Sequence, residues 1–390
     1  MRRVAQPLFG LALYAWLFQA AVAEGVAQRS LPDLVLNLAR LQDAAARGDA
    51  EAGALQMRML SNVSAELMKA DPLRLPDAPS LRAAIIYVLS GGRPSDVEVL
   101  LRATPDSEPL RWILRGAVQF ATGEKAEALK TLTPFKPETL PASIGGRVAL
   151  AMAALLPEGE TVEKARLLEF AARQMPGTLV EEAALRRLAI LAAAQDDPLQ
   201  FQKTAERYVW RYSASLYAGG LMKDYVAQIV IFEAKHKPIS RLAFEVLMNR
   251  LPAMQRCQAY LGVARQATSL GLADLALYAS TRARRLAVQG SAEWSEATLY
   301  DAAILITGPD YDIARDLLRE VNGSQLDAQG KAMLSSVETL AARMHADFDS
   351  APAQKSAPDS RVLPLEQQVL SDKVSKAVAA ADTMLQGLTP

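Results

Sequence analysis

The sequence predicts an all-α protein built as a right-handed superhelical solenoid of helix-turn-helix repeats, and three observations carry that expectation. Aromatic residues make up only 6% of the chain, while alanine, leucine, arginine and glutamate dominate, a composition of packed helices rather than sheets. Small or apolar residues recur in pairs twelve positions apart, with a chain-breaking turn inside each pair. The first members of these pairs step along the chain by 32, 37, 36, 38, 37 and 38 residues, a period that marks stacked repeat units.

The clearest unit runs from Arg111 to Pro141: Trp112, Gly116, a turn at Thr122-Gly123, then Ala128, Leu132 and the closing proline. In a tetratricopeptide-like helix pair, small residues such as Gly116 and Ala128 sit where the two helices cross closely. The spacing recurs at Ala153/Ala165 around Pro157 and Gly159, at Ala264/Ala276 around Gly271, and at Ala302/Ala314 around Gly308-Pro309. Looser copies are Ala84/Asp96 around Gly91-Gly92, Ala189/Phe201 around Asp196-Asp197-Pro198, and Ala227/Ile239 around Lys237-Pro238. Ser95-x-x-Glu98 and Thr178-x-x-Glu181 read as capping boxes at helix starts. Leu185, Leu188, Leu191 and Ala192 give the apolar stripe expected of a helix with one buried face.

These units place the repeats at about residues 81–345 of a solenoid spanning 24–348, with capping helices at 31–70 covering its N-terminal end. Two compact helical domains are the alternative arrangement. From Asp349 to residue 364 the chain turns rich in Ser, Ala, Pro and Asp without apolar period, which predicts a linker. Beyond it, in 365–388, Leu370, Val374, Ala377, Ala381, Met384 and Leu388 step by three and four, a short heptad stripe. That helix either docks on a partner, through Leu370, Val374, Met384 and Leu388, or folds back over the end of the stack.

Residues 1–23 read as an export signal: Arg2 and Arg3, an apolar run from Pro7 to Ala20, and Ala21-Val22-Ala23 as the cleavage site. The run is shorter than the roughly 20 residues a membrane-spanning helix needs. The mature chain is therefore expected to be periplasmic and not membrane-spanning. The single Cys257 excludes an internal disulfide framework, and with only His236 and His345 beside it a Cys/His metal site is implausible. Cys257 reads as a small buried apolar residue.

Balanced charge, 43 basic against 43 acidic residues, gives no nucleic-acid footprint. The densest basic cluster, Arg282, Arg284 and Arg285, reads as a solvated helix end. No nucleophile elbow, phosphate loop, dinucleotide fingerprint or His-Glu-x-x-His pair occurs, so neither an enzyme nor a cofactor is expected. The acidic pairs Glu181-Glu182 and Asp196-Asp197 point in divergent directions on a helix and read as structural. The richest binding signal is Arg207, Tyr208, Trp210, Arg211 and Tyr212, the residue types that interface hot spots favour. The alternative is that Tyr208 and Tyr212, four apart, pack into the core while the arginines are solvated.

Three segments, Leu38–Asp49, Pro176–Arg187 and Tyr208–Ala218, together with the leader and the cysteine-poor helical body, resemble the MotC family, periplasmic flagellar-motor proteins of rhizobia and related alphaproteobacteria. The resemblance implies a protein needed for flagellar rotation, associated with the stator protein MotB and affecting how ion flow is coupled to torque. It supplies no motif residues with assigned chemistry. Two other classes stand beside it. A general envelope-assembly scaffold would share the repeat but not the motor. A cell-wall lytic enzyme would need a lysozyme-like domain, which the 42 residues from Asp349 onward cannot hold.

Overall fold

The computed structural model describes residues 30–71 and 73–350, and among these every regular element is helical, with no strand. The leader expected over 1–23, the helix expected at 365–388, with Leu370, Val374, Met384 and Leu388, and the linker expected at 349–364 lie outside the described residues, except that 349 and 350 are described and are helical, so the last described helix runs two residues past the expected linker start. Residues through Glu338 form one compact unit; of the second, which begins at Thr339, the described part is helical to Ser350.

The first unit begins with α1 (Leu31–Ala46) and α2 (Ala50–Leu67). Each starts on a side-chain cap: Ser30 Oγ accepts from the Asp33 amide, and Asp49 from the Ala52 amide at 3.0 Å. Seven pairs follow: α3 (Ala78–Leu89) with α4 (Glu98–Ala103), α5 (Pro109–Thr122) with α6 (Lys125–Leu132), α7 (Ala142–Leu155) with α8 (Thr161–Gln174), α9 (Leu179–Ala194) with α10 (Pro198–Tyr212), α11 (Ala218–Ala234) with α12 (Arg241–Met248), α13 (Ala253–Ser269) with α14 (Ala273–Leu286), and α15 (Ala292–Leu305) with α16 (Tyr311–Glu320). Helix α17 spans Ala328–Ser350.

The turns expected inside the pairs separate these helices. Gly123 and Gly271 take φ of +84° and +70°, where a side chain would be strained. Asp196 and His236 hold the same left-handed conformation without being glycine. The spaced residues mark the crossings: Ala264, Ala276, Ala302 and Ala314 are fully buried, and a Cβ on Gly116 would lie 2.5 Å from Leu132. Ala165 and Ala227 are only half-buried, and Ile239 precedes α12 rather than lying on it.

Two expectations need correction. Ser95 caps nothing: residues Pro94–Val97 form a 3-10 turn, and neither that turn nor α4 has a side-chain cap. Asp96 instead accepts a hydrogen bond from the buried Tyr87 hydroxyl at 2.6 Å, which draws the chain inward before α4. The Arg282–Arg285 cluster is not simply solvated. Arg282 pairs with Glu245 and lies over the Tyr278 ring, and Arg284 pairs with the buried Asp301 at 2.9 Å. Only Arg285 is exposed.

Packing in the later pairs is sequential, α13 on α14, α14 on α15 and α15 on α16. An aromatic series runs through the middle, with Tyr225 stacked on Phe201 and Phe244 edge-on to Tyr260. Earlier in the chain, contacts close on themselves: α1 packs on α3, α3 on α7, α7 on α9, and α9 back on α1. Stacking each pair only against the next does not give the α1–α9 contact.

Candidate partner-binding face

Helix α10 begins at Asp197, whose carboxylate accepts from the Gln200 amide at 3.0 Å, with Pro198 at the first helical position. Its last turns carry the Arg/aromatic block. The four-residue spacing turns Tyr208 and Tyr212 to one side, toward α9, and both are buried, with ring centroids 5.8 Å apart. The Tyr208 hydroxyl donates to Glu182 at 2.6 Å and the Tyr212 hydroxyl donates to Glu181 at 2.7 Å. Burial, reinforced by these carboxylates, holds both phenols well above their ordinary range.

Of the five candidate residues, the two tyrosines are therefore interior. Arg207, Trp210 and Arg211 reach the surface. Arg207 pairs with Glu169 at 2.8 Å, and Arg211 reaches both oxygens of Glu181 at 2.8 Å. Trp210 is 65% exposed, and the Arg250 guanidinium lies over its ring, 3.6 Å from the centroid. Arg250 follows α12, where Leu242 and Val246, one turn apart, are also exposed. Sequence reading missed Arg250, Leu242 and Val246. The signal was present in the two apolar residues on the face opposite the buried Phe244, Leu247 and Met248.

Behind this surface the three segments that carry the family resemblance come together. Asp43 on α1 accepts from the Leu179 amide at 2.9 Å, and Arg47 donates to the Gly177 carbonyl at 3.0 Å. The Leu216 amide donates to the Ala45 carbonyl at 3.4 Å. Gly48, at φ +99°, lies so close to Ala214 that a Cβ would come within 2.6 Å of its carbonyl oxygen. Glu181 completes the junction by accepting from the Gly177 amide at 2.7 Å, so residues of α1, α9 and the turn after α10 are held as one block.

Glu181 and Glu182 are held by phenols and arginines, which tie α9 to α10. Among the described residues, no group of three or more His, Cys, Asp or Glu side chains could hold a metal ion. Cys257 is buried, as its residue type suggested; its thiol donates to the Ala283 carbonyl at 3.5 Å, and burial pushes its pKa up to about 11. No helix of the described residues is long and apolar enough to cross a membrane.

Paired helices without a strand among the described residues define an all-helical protein, and its exposed tryptophan lies under an arginine, two residue types that interface hot spots favour. The chain belongs to the MotC family: the family model described as "Chemotaxis protein MotC" matches residues 1–388. Chemotaxis protein MotC of Rhizobium meliloti (strain 1021) is 27% identical to it over 340 residues, 87% of this chain and 78% of that one. The family is one of motor accessory proteins and is not a known enzyme family.

Proposed function

We propose that the chain is a periplasmic scaffold required for rotation of the flagellar motor, where it binds the stator protein MotB and affects the coupling of ion flow to torque. Family membership across nearly the whole sequence carries this reading. In it, the leader over 1–23 exports the chain, and the helix pairs wind as a right-handed, tetratricopeptide-like superhelix whose surface presents Trp210 and its neighbours. The exposed Trp210–Arg250 pair supports the choice of face, because Trp and Arg are the residues on which interface energy concentrates.

Deleting the gene tests the proposal. The expected result is cells with assembled filaments that neither swim nor rotate when tethered, rescued by the wild-type chain. Loss of the filaments themselves would overturn it and point to an assembly role in the envelope.

A further inference from the structure

At the centre of the early helices lies a pocket of about 290 Å³, walled by Leu89 from α3, Phe120 from α5, Leu150 from α7 and Val180 from α9. Three arginines line it: Arg147 on α7, and Arg186 and Arg187 on α9. Arg147 is only 8% exposed, yet its guanidinium donates to the Ser143 carbonyl and the Met175 sulfur and to no carboxylate. Arg187 stands at the rim and donates to the Leu150 carbonyl at 3.1 Å. Neither has an acidic oxygen within 4.0 Å among the described residues. Arg186 alone is paired, with Glu182 at 3.7 Å.

A buried guanidinium without a carboxylate is costly, because burial removes its water and nothing of opposite charge replaces it. Asp43 is the acid that acts on Arg147, but from beyond ion-pair distance, its carboxylate accepting from the Leu179 amide. Burial draws the Arg147 guanidinium below its usual range despite Asp43, and Arg187 is lowered in the same direction with Arg186 beside it. The pocket thus joins two guanidiniums with no carboxylate in ion-pair reach among the described residues to walls that are largely aliphatic and aromatic.

We infer that this pocket binds a carboxylate carried on an apolar stem, the Arg147 and Arg187 guanidiniums holding the carboxylate and Leu89, Phe120, Leu150 and Val180 covering the stem. Planar guanidinium donors match the two oxygens of a carboxylate, and a bare inorganic anion would leave the apolar walls uncovered. The inference is independent of the motor reading, since it rests on the pocket alone. Two sources share this chemistry: the free end of a protein chain with apolar last residues, and a small fatty acid.

Calorimetric titration of the full chain with octanoate at neutral pH tests it, beside octanamide as the uncharged analogue. Octanoate should bind, octanamide at least about tenfold more weakly, and Arg187→Met, at the exposed rim where folding is not at stake, should weaken octanoate at least about tenfold. Arg147→Met should do the same where circular dichroism shows it folded. Displacement of octanoate by a soluble peptide ending in a free Leu-Leu carboxylate, and not by its C-terminal amide, assigns the site to a chain end. Octanoate that binds without such displacement assigns it to a small acid. The inference is overturned if octanoate fails to bind, if Arg187→Met leaves its affinity unchanged, or if inorganic phosphate competes as well as octanoate does.

Discussion

Tyr212 donates its hydroxyl to Glu181 across 2.7 Å inside the protein, and the same carboxylate is held by Arg211 from the surface side. The bond ties the last turn of α10 to the first turn of α9. Removing the hydroxyl with Tyr212→Phe leaves a 5%-exposed carboxylate short of one donor. Since hydrogen bonds to charged groups are worth about 1.5–3 kcal/mol, the variant should lose stability by that amount in urea unfolding, with an unchanged m-value. A loss below about 0.5 kcal/mol would show that Arg211 and the Gly177 amide suffice.

Alkaline pH should destabilise the fold through the buried phenols. Tyr208 and Tyr212 have pKa values raised above the ordinary 10.0 by burial and by Glu182 and Glu181. A raised folded-state pKa means that the unfolded chain releases the phenolic protons first. Their contribution is therefore complete below pH 10 and declines as pH rises toward the folded-state values. The urea midpoint should fall above pH 10, phenolate absorbance should appear together with unfolding, and the double variant Tyr208→Phe, Tyr212→Phe should show a shallower decline.

Gly48→Ala tests the junction between α1 and the turn after α10. The backbone there is left-handed, and the new Cβ would meet the Ala214 carbonyl oxygen at 2.6 Å, an atom fixed by the chain. Strain and overlap together should cost about 1–3 kcal/mol. Thermal unfolding measures it, and Gly123→Ala, where a Cβ meets nothing within 4 Å, reports the backbone cost alone.

Trp210→Ala separates binding from folding. The side chain is 65% exposed and its principal partner is the Arg250 guanidinium, so stability should fall by only about 0.5–1 kcal/mol. Motility of cells carrying the variant should nonetheless fall sharply while the protein level stays normal, as soft-agar swarming and immunoblotting would show.

The helix pairs are legible because breakers such as Gly123, Gly271, Asp196-Asp197-Pro198 and Lys237-Pro238 mark local turns, and turn chemistry is written in adjacent residues. The α1–α9 closure was not legible. Asp43 and Leu179 are 136 residues apart, and no local periodicity encodes such a contact. Glu181 lay between these cases. It falls on the same helical stripe as Leu185, Leu188 and Ala192, four, seven and eleven positions on, yet the Thr178-x-x-Glu181 spacing reads as a helix cap and not as a core position. The phenols of Tyr208 and Tyr212 resolve that conflict by supplying buried donors. The Arg/aromatic block was found as a block, but its composition could not say that the tyrosines face inward and the tryptophan outward; the helix period and the position of α9 decide that.

The central claim is a direct interaction with the stator, and it is tested by measuring binding of the purified full chain to the periplasmic part of MotB by biolayer interferometry. Saturable binding that Trp210→Ala weakens by about tenfold or more, with Tyr212→Phe nearly neutral while folded, is the predicted result. No binding up to about 100 μM, or equal binding by wild type and Trp210→Ala, would contradict it.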